Sequence, residues 1–189
     1  VAVPASRHHV QRAQEFVRQL EASGGTEMLP ALRAALTPPP EGKRDREQAV
    51  LRQVVFVTDG AVGNELSLFE EIADSLGDSR LFTVAIGSAP NSWFMRKAAD
   101  FGRGTHTHIG DLDEVAKKMG ALFDQLASPA AVNLAIDWPQ PVESWPERVP
   151  DLYRGEPVVV AVSFGDTQPA GEVTVSGELA GSDWNRTLS

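Results

Sequence analysis

Apolar positions along the chain follow two regimes, with the change near residue 128. In the first regime they come either as unbroken runs or at helical spacing. Ser6 suits the N-cap of a helix over 7–21, with Val10, Ala13, Phe16, Val17 and Leu20 on one side. Past Gly24-Gly25, Thr26 or Gly25 would cap a second helix. Pro30 is tolerated in its first turn, and Met28, Leu29, Leu32, Ala35 and Leu36 form its apolar side. Residues 54–57 are apolar at both parities and run into Thr58-Asp59-Gly60, which predicts a strand covered on both faces, as in a parallel sheet. A helix over 64–76 follows, with Leu66, Phe69, Ile72, Ala73 and Leu76 inward and Gly77 closing it. Residues 81–87 predict a second strand and 92–101 a helix carrying Trp93, Phe94 and Ala98. Residues 104–109 predict a third strand, polar enough to lie nearer a sheet edge. Asp111 and Glu114 make a capping box for a helix to about residue 127, with Leu112, Val115, Met119, Leu122, Phe123 and Leu126 buried. Repeated β-α units imply right-handed crossovers and a doubly wound sheet.

From residue 129 the pattern is alternation broken by turns. Strand-like segments at 132–138, 157–163, 172–176 and 183–188 predict short antiparallel strands of a small sandwich-like module. The expected fold is therefore α/β: a doubly wound, mainly parallel sheet over 1–128, followed by a β-rich extension over 129–189. If the parallel sheet holds only the three strands named, one of its most apolar strands lies at an open edge. Such an edge invites another chain. The expectation is that strands beside 54–57 come from a segment upstream of Val1 or from a partner molecule, and that the chain is a piece of a longer protein.

Composition narrows the function. With 42% hydrophobic residues the chain can build a core. Its 17 basic and 26 acidic residues give a net charge of −9, which disfavours nucleic acid or an anionic membrane surface as the main partner. No apolar run reaches membrane-spanning length. The absence of cysteine removes disulfides, thiolate metal sites and cysteine nucleophiles. The charged stretch Lys43-Arg44-Asp45-Arg46 reads as a solvated connection.

Candidate chemistry centres on Asp59. Ligands of open α/β sheets bind at the carboxyl ends of the strands, where Asp59 falls and Gly60 frees the backbone. A turn aspartate capping the next helix and a cation ligand are both open readings of this stretch. A Mg²⁺-dependent hydrolase or phosphatase is the enzymatic alternative and a metal-free structural scaffold the other; against the enzyme, Asp59 stands in no Asp-x-Asp pair, and no phosphate-cradling loop or nucleophile elbow accompanies it. Gly102-Arg103-Gly104 precedes a strand instead of leaving one, so it is no dinucleotide fingerprint. His106 and His108 share a strand face by spacing and are candidates for a transition-metal pair, with a structural or edge role favoured because no third ligand lies nearby. His8 and His9 read as solvated surface. Trp93, Phe94 and Phe101 read as core. Trp138, Trp145 and Tyr153 read as packing the β-rich extension on its neighbour.

Gly24-Gly25-Thr26-Glu27, the strand ending in Thr58-Asp59-Gly60, Glu65, the strand Phe82-Thr83-Val84-Ala85-Ile86-Gly87 and Gly102-Arg103-Gly104-Thr105 together resemble a von Willebrand factor type A domain. With Asp151-Leu152-Tyr153-Arg154-Gly155-Glu156-Pro157 after them, they are most similar to the form in inter-α-trypsin-inhibitor heavy chains and related bacterial surface proteins. The resemblance implies a non-enzymatic adhesion or protein-interaction module with a metal-ion-dependent adhesion site. In that site Thr26 matches the second loop and Asp59 the third. The first-loop Asp-x-Ser-x-Ser motif does not occur in the chain. The implied cofactor is Mg²⁺, or Mn²⁺ or Ca²⁺, with weak or no binding by this chain alone. The implied partner is a protein offering a carboxylate, at a bacterial surface or outside the cell. Self-association through the edge at Val54–Val57 is the further expectation.

Overall fold

The computed structural model describes residues 3–21, 25, 27–37, 51–61, 63–88, 91–128, 130–166, 168 and 170–188. Thr26, Gly24 and the charged connection at 43–46 lie outside them.

Three parallel strands form the first sheet: β1 (Gln53–Thr58), β2 (Arg80–Ile86) and β3 (Arg103–Ile109), in the order β1-β2-β3. The centre is β2, and every residue from Arg80 to Ala85 is buried. Its alternation divides the core. Leu81 and Ala85 face a cluster with Leu32, Leu36, Leu68, Ile72, Phe94 and Met95, contributed by α2 (Met28–Leu36), α3 (Glu65–Ser75) and α4 (Ser92–Phe101). Phe82 and Val84 face the opposite cluster, with Ile109, Leu122 of α5 (Val115–Ala127) and Tyr153. A strand apolar at both parities is thus covered on both faces, as the α/β reading requires. The polar strand β3 lies at one edge, as its composition predicts, and β1 at the other.

Local chemistry ties these elements together. Ser6 caps α1 (Arg7–Arg18), its Oγ accepting from His9 N–H at 3.3 Å. The Arg52 guanidinium donates to the last carbonyls of α2, including Leu36 O and Thr37 O at 3.1 Å each, and so anchors that helix end to the start of β1. Gly77, at φ +54°, ends α3 as the helix-stop reading expects. Gly104 has no room for a side chain: a Cβ there would stand 2.2 Å from Leu81 O, at an irregularity in the β2–β3 register.

Several expected core faces differ. The stripe of α1 is uncovered: Phe16, Val17 and Leu20 are more than 60% exposed and no residue of the helix is buried. On α3, Leu66 points to solvent and Leu68 is buried instead; Ala73 is also exposed. Trp93 and Phe101 of α4 are exposed, and only Phe94 of that aromatic set is core. Leu112 and Phe123 are exposed, while Val115, Met119 and Leu126 pack as expected. Strand β1 is half-buried, and Val57 is exposed.

The β-rich part holds β4 (Ala131–Asp137), β7 (Val173–Leu179) and β8 (Ser182–Leu188) in one antiparallel sheet. A second antiparallel pair is formed by β5 (Glu143–Trp145) and β6 (Ala161–Ser163). Tyr153 carries this part onto the parallel sheet, its ring edge-on to Phe82 at 5.2 Å. Trp138 instead stacks within the β-rich part, on Phe164, and Trp145 is exposed.

Candidate functional site

The three parallel strands end on one side of the sheet, and the loops that leave them there carry Asp59, Asn91 and Asp111. Asp59 follows β1 directly. The buried Thr58 hydroxyl accepts the Gly60 N–H at 3.1 Å, which turns the chain sharply and leaves the Asp59 side chain exposed. No hydrogen bond or ion pair among the described residues engages its carboxylate. The helix-capping reading of Asp59 is not realised: Asn64 occupies the N-cap of α3, with no side-chain cap bond.

Glu65, the first residue of α3, is half-buried and takes a hydrogen bond from Asn91 Nδ2. The same Asn91 caps α4, its Oδ1 accepting from Phe94 N–H at 3.1 Å. One amide therefore laces two helix N-termini together beside the exits of β1 and β2. The Asn91-Ser92 pair ahead of an apolar helix is the cap signal that identifies it in the sequence. At the third exit, Asp111 Oδ1 accepts from Asp113 N–H at 3.1 Å and caps a 3₁₀ turn over Leu112–Glu114. Glu114 Oε2 accepts from Gly110 N–H at 3.2 Å and from Lys118 Nζ at 2.8 Å. The Lys118 contact, foremost, holds the Glu114 carboxyl below its ordinary range. Lys118 also donates to His108 O at 2.8 Å, so the end of β3 is tied to α5.

The two histidines of β3 stand in different settings. His106 is half-buried, its Nδ1 3.0 Å from Thr83 Oγ1, which in turn donates to Met95 O at 2.8 Å. Burial, with Arg96 and His108 nearby, lowers the His106 pKa, so the ring is held neutral. His108 is exposed, and β2 separates both from Asp59. Among the described residues no three His, Cys, Asp or Glu side chains cluster as metal ligands.

A hard cation such as Mg²⁺ prefers six oxygens in octahedral array, several of them water. Asp59 suits one such ligand, being without a partner among the described residues and open to solvent at the strand end. Glu65 is occupied by Asn91, and Thr26 lies outside the described residues, so the described side chains do not complete a coordination shell.

The opposite ends of the strands hold a buried ionic group that sequence reading missed. Arg80, at the start of β2, forks onto Asp151: Nε donates to Oδ2, and Nη2 to Oδ1 at 3.2 Å. Both side chains are 3% exposed or less. Tyr153 Oη lies 3.5 Å from the same carboxylate, and burial raises its phenol pKa far above the ordinary value. Arg103 lies close by, also buried, donating Nη2–H to Gly77 O at 3.3 Å.

Comparison with known proteins agrees with this architecture. A sequence model of the von Willebrand factor type A domain matches residues 2–108. A von Willebrand factor A domain-containing protein of Dictyostelium discoideum is 27% identical over 165 residues, 85% of this chain and 19% of that protein. Inter-alpha-trypsin inhibitor heavy chain H2 of Sus scrofa is 25% identical over 173 residues, 86% of this chain and 18% of that one. The mouse protein mono-ADP-ribosyltransferase PARP4 is 24% identical over 159 residues, which are 78% of this chain and 8% of that enzyme. The chain thus spans less than a fifth of the length of these relatives. Among solved structures, a von Willebrand factor type A protein from Catenulispora acidiphila superposes with a TM-score of 0.59 at 19% identity, over 96% of this chain and 50% of that one. The matched sequence model covers more than half of the chain, and the parallel sheet with helices on both faces is the fold it describes: the chain belongs to the von Willebrand factor type A domain family.

Proposed function

We propose that this chain is a non-enzymatic protein-interaction module that engages a carboxylate-bearing protein at the carboxyl edge of its parallel sheet, through a Mg²⁺ ion bound in part by Asp59 and Thr26. The reading is supported above all by Asp59: an exposed carboxylate, with no partner among the described residues, at the strand end where open α/β sheets bind ligands. Type A domains are in general interaction and adhesion modules, which favours binding over catalysis, and the reading places the whole protein at a cell surface or outside the cell. A site with one carboxylate leaves the ion electrophilic enough to accept an acidic group from a partner. Mn²⁺ and Ca²⁺ are the alternative occupants. The outer side of β1 bonds to no strand among the described residues and Val57 is exposed, so the same module self-associates along that edge at high concentration. A sedimentation coefficient independent of concentration would remove that part of the proposal.

The test is calorimetric titration of Mg²⁺ and Mn²⁺ into this chain and into a form extended upstream by about 100 residues, a domain-sized increment. Binding is expected to be weak or absent in the short form, measurable in the long form, and abolished there by Asp59→Ala. Unchanged metal affinity in that variant overturns the adhesion-site reading.

A further inference from the structure

A second surface runs along α4, from its first turn beside the carboxyl edge toward the opposite end of the sheet. Trp93, Lys97 and Phe101 recur every four residues along α4 and so share one side of that helix. Trp93 is 60% and Phe101 52% exposed. They form one wall of a groove of about 400 Å³, whose other walls are Phe69 of α3 and Pro146 with Arg148 of the β-rich part. Trp93 is held upright by an edge-on contact with Phe69 at 6.4 Å. That contact leaves the Trp93 ring open to solvent, as is the Phe101 ring.

The groove is also cationic. Lys97, Arg103 and Arg148 line it against a single carboxylate, Asp100, in a chain whose net charge is −9. Neither Lys97 nor Arg148 forms an ion pair among the described residues. Arg103 is 4% exposed, and its Nε has no hydrogen-bond partner among them. Of the two carboxylates that act on Arg103, Asp151 and Asp78, the first is committed to Arg80 in the bidentate pair. Burial foremost, with the neighbouring Arg80 and Arg148, lowers the Arg103 pKa against the opposing pull of Asp151 and Asp78.

We infer that this groove docks an acidic peptide segment of a protein partner, with an apolar anchor residue between Trp93 and Phe101 and flanking carboxylates on Lys97 and Arg148. Charge complementarity selects the acidic flanks. The anchor is required because the chain as a whole repels an acidic partner. The local positive excess acts only within about one Debye length, roughly 8 Å in physiological salt, so affinity must come from contact. A nucleic acid, with its dense phosphate charge, needs a broad basic face, which a net charge of −9 does not provide. Asp59 does not line the groove, and the basic end of the groove is remote from it: Arg103 opens β3, at the end of the sheet opposite to the one where Asp59 follows β1.

The test is selection of random peptides displayed on phage against this chain in EDTA, followed by fluorescence anisotropy with the enriched peptides. Enrichment is expected for sequences with Asp or Glu flanking Phe, Leu or Trp. The double variant Lys97→Glu with Arg148→Glu, and separately Trp93→Ala, should each weaken binding at least about tenfold. Asp59→Ala and added Mg²⁺ should leave it unchanged, so failure of the metal-site reading does not affect this result. Lys97→Gln with Arg148→Gln reads the same loss if charge reversal disturbs the fold, which circular dichroism reports. The inference is overturned by an absence of enrichment, by enrichment of neutral or basic peptides, or by binding that survives in these variants. Oligothymidylate binding that the same variants abolish also overturns it, in favour of nucleic acid.

Discussion

At the scale of single residues, the deepest commitment in the molecule is ionic. Arg80 and Asp151 are 71 positions apart and almost wholly out of water. Such a pair is marginal as a source of stability, because desolvation offsets most of its attraction, but removing one partner leaves the other charge stranded. Here Asp151→Asn strands Arg80 beside Arg103, so its cost should lie near about 3–5 kcal/mol, the range for broken buried pairs. Urea denaturation measures it, and a cost under about 1 kcal/mol means the pair is solvated. His106 supplies a second residue-scale expectation. Its folded-state pKa lies below the ordinary value of 6.5, chiefly through burial. The unfolded chain therefore binds more protons than the folded one as pH drops below about 6.5, and stability is lost in that direction. His106→Gln should flatten the fall in melting temperature between pH 7 and 5. An equal fall in the variant assigns it to the carboxylates.

At the scale of elements, the sequence names the parallel strands well, misses β5 and overextends β6 to 157–163, and names the buried faces unevenly. The run into Thr58-Asp59-Gly60 and the run over Leu81–Ile86 are legible because an unbroken apolar stretch admits few arrangements. The polar strand β3 is legible as an edge for the converse reason. Helix faces are less determined. On α3, Leu66 and Leu68 are two positions apart and so lie on nearly opposite sides of the helix; Leu68 joins the cluster that holds Leu32 and Phe94, while Leu66 meets water. On α1 the periodicity identifies an apolar face but carries no information on what, if anything, covers it. Tyr153 is legible as packing the β-rich extension on its neighbour, but its partner Phe82 and the Arg80–Asp151 pair are not, because Arg80 and Phe82 lie on a distant strand whose own pattern is already accounted for by helices. Asp59, by contrast, is found from sequence because a strand end, a turn and a carboxylate coincide there. The α3 assignment is directly checkable. Leu68→Ala should cost about 2–5 kcal/mol through the cavity it leaves, whereas Leu66→Ala should stay within about 0.5 kcal/mol. Equal costs in thermal unfolding would overturn this orientation of α3, and interchanged costs would reverse it.

At the scale of the whole molecule, the β-rich part is joined to the parallel sheet through its core. Tyr153 fills the space over Phe82, a residue with no exposed surface, and Asp151 neutralises the arginine that opens β2. Ala131 and Leu152 exchange backbone hydrogen bonds at 3.0 and 2.9 Å, which clamps the segment carrying both side chains against the start of β4. Coupling of this kind predicts that the two parts unfold together. Scanning calorimetry of the full chain should show one transition, with calorimetric and van 't Hoff enthalpies equal, as for a single cooperative unit. A chain ending at Ser128 loses Tyr153 and Asp151 at once, exposing Phe82 and leaving Arg80 buried without its counter-charge. It should bind a hydrophobic dye and melt without a cooperative peak. Tyr153→Ala in the full chain separates the two contributions, since it removes the ring and keeps the ion pair; its cost should be about 3–5 kcal/mol, as for other large aromatic truncations. Two resolved transitions in the full chain, or a cooperative melt of the shortened one, would show that the parallel sheet holds its core unaided and that the Asp151–Tyr153 segment only rests on it.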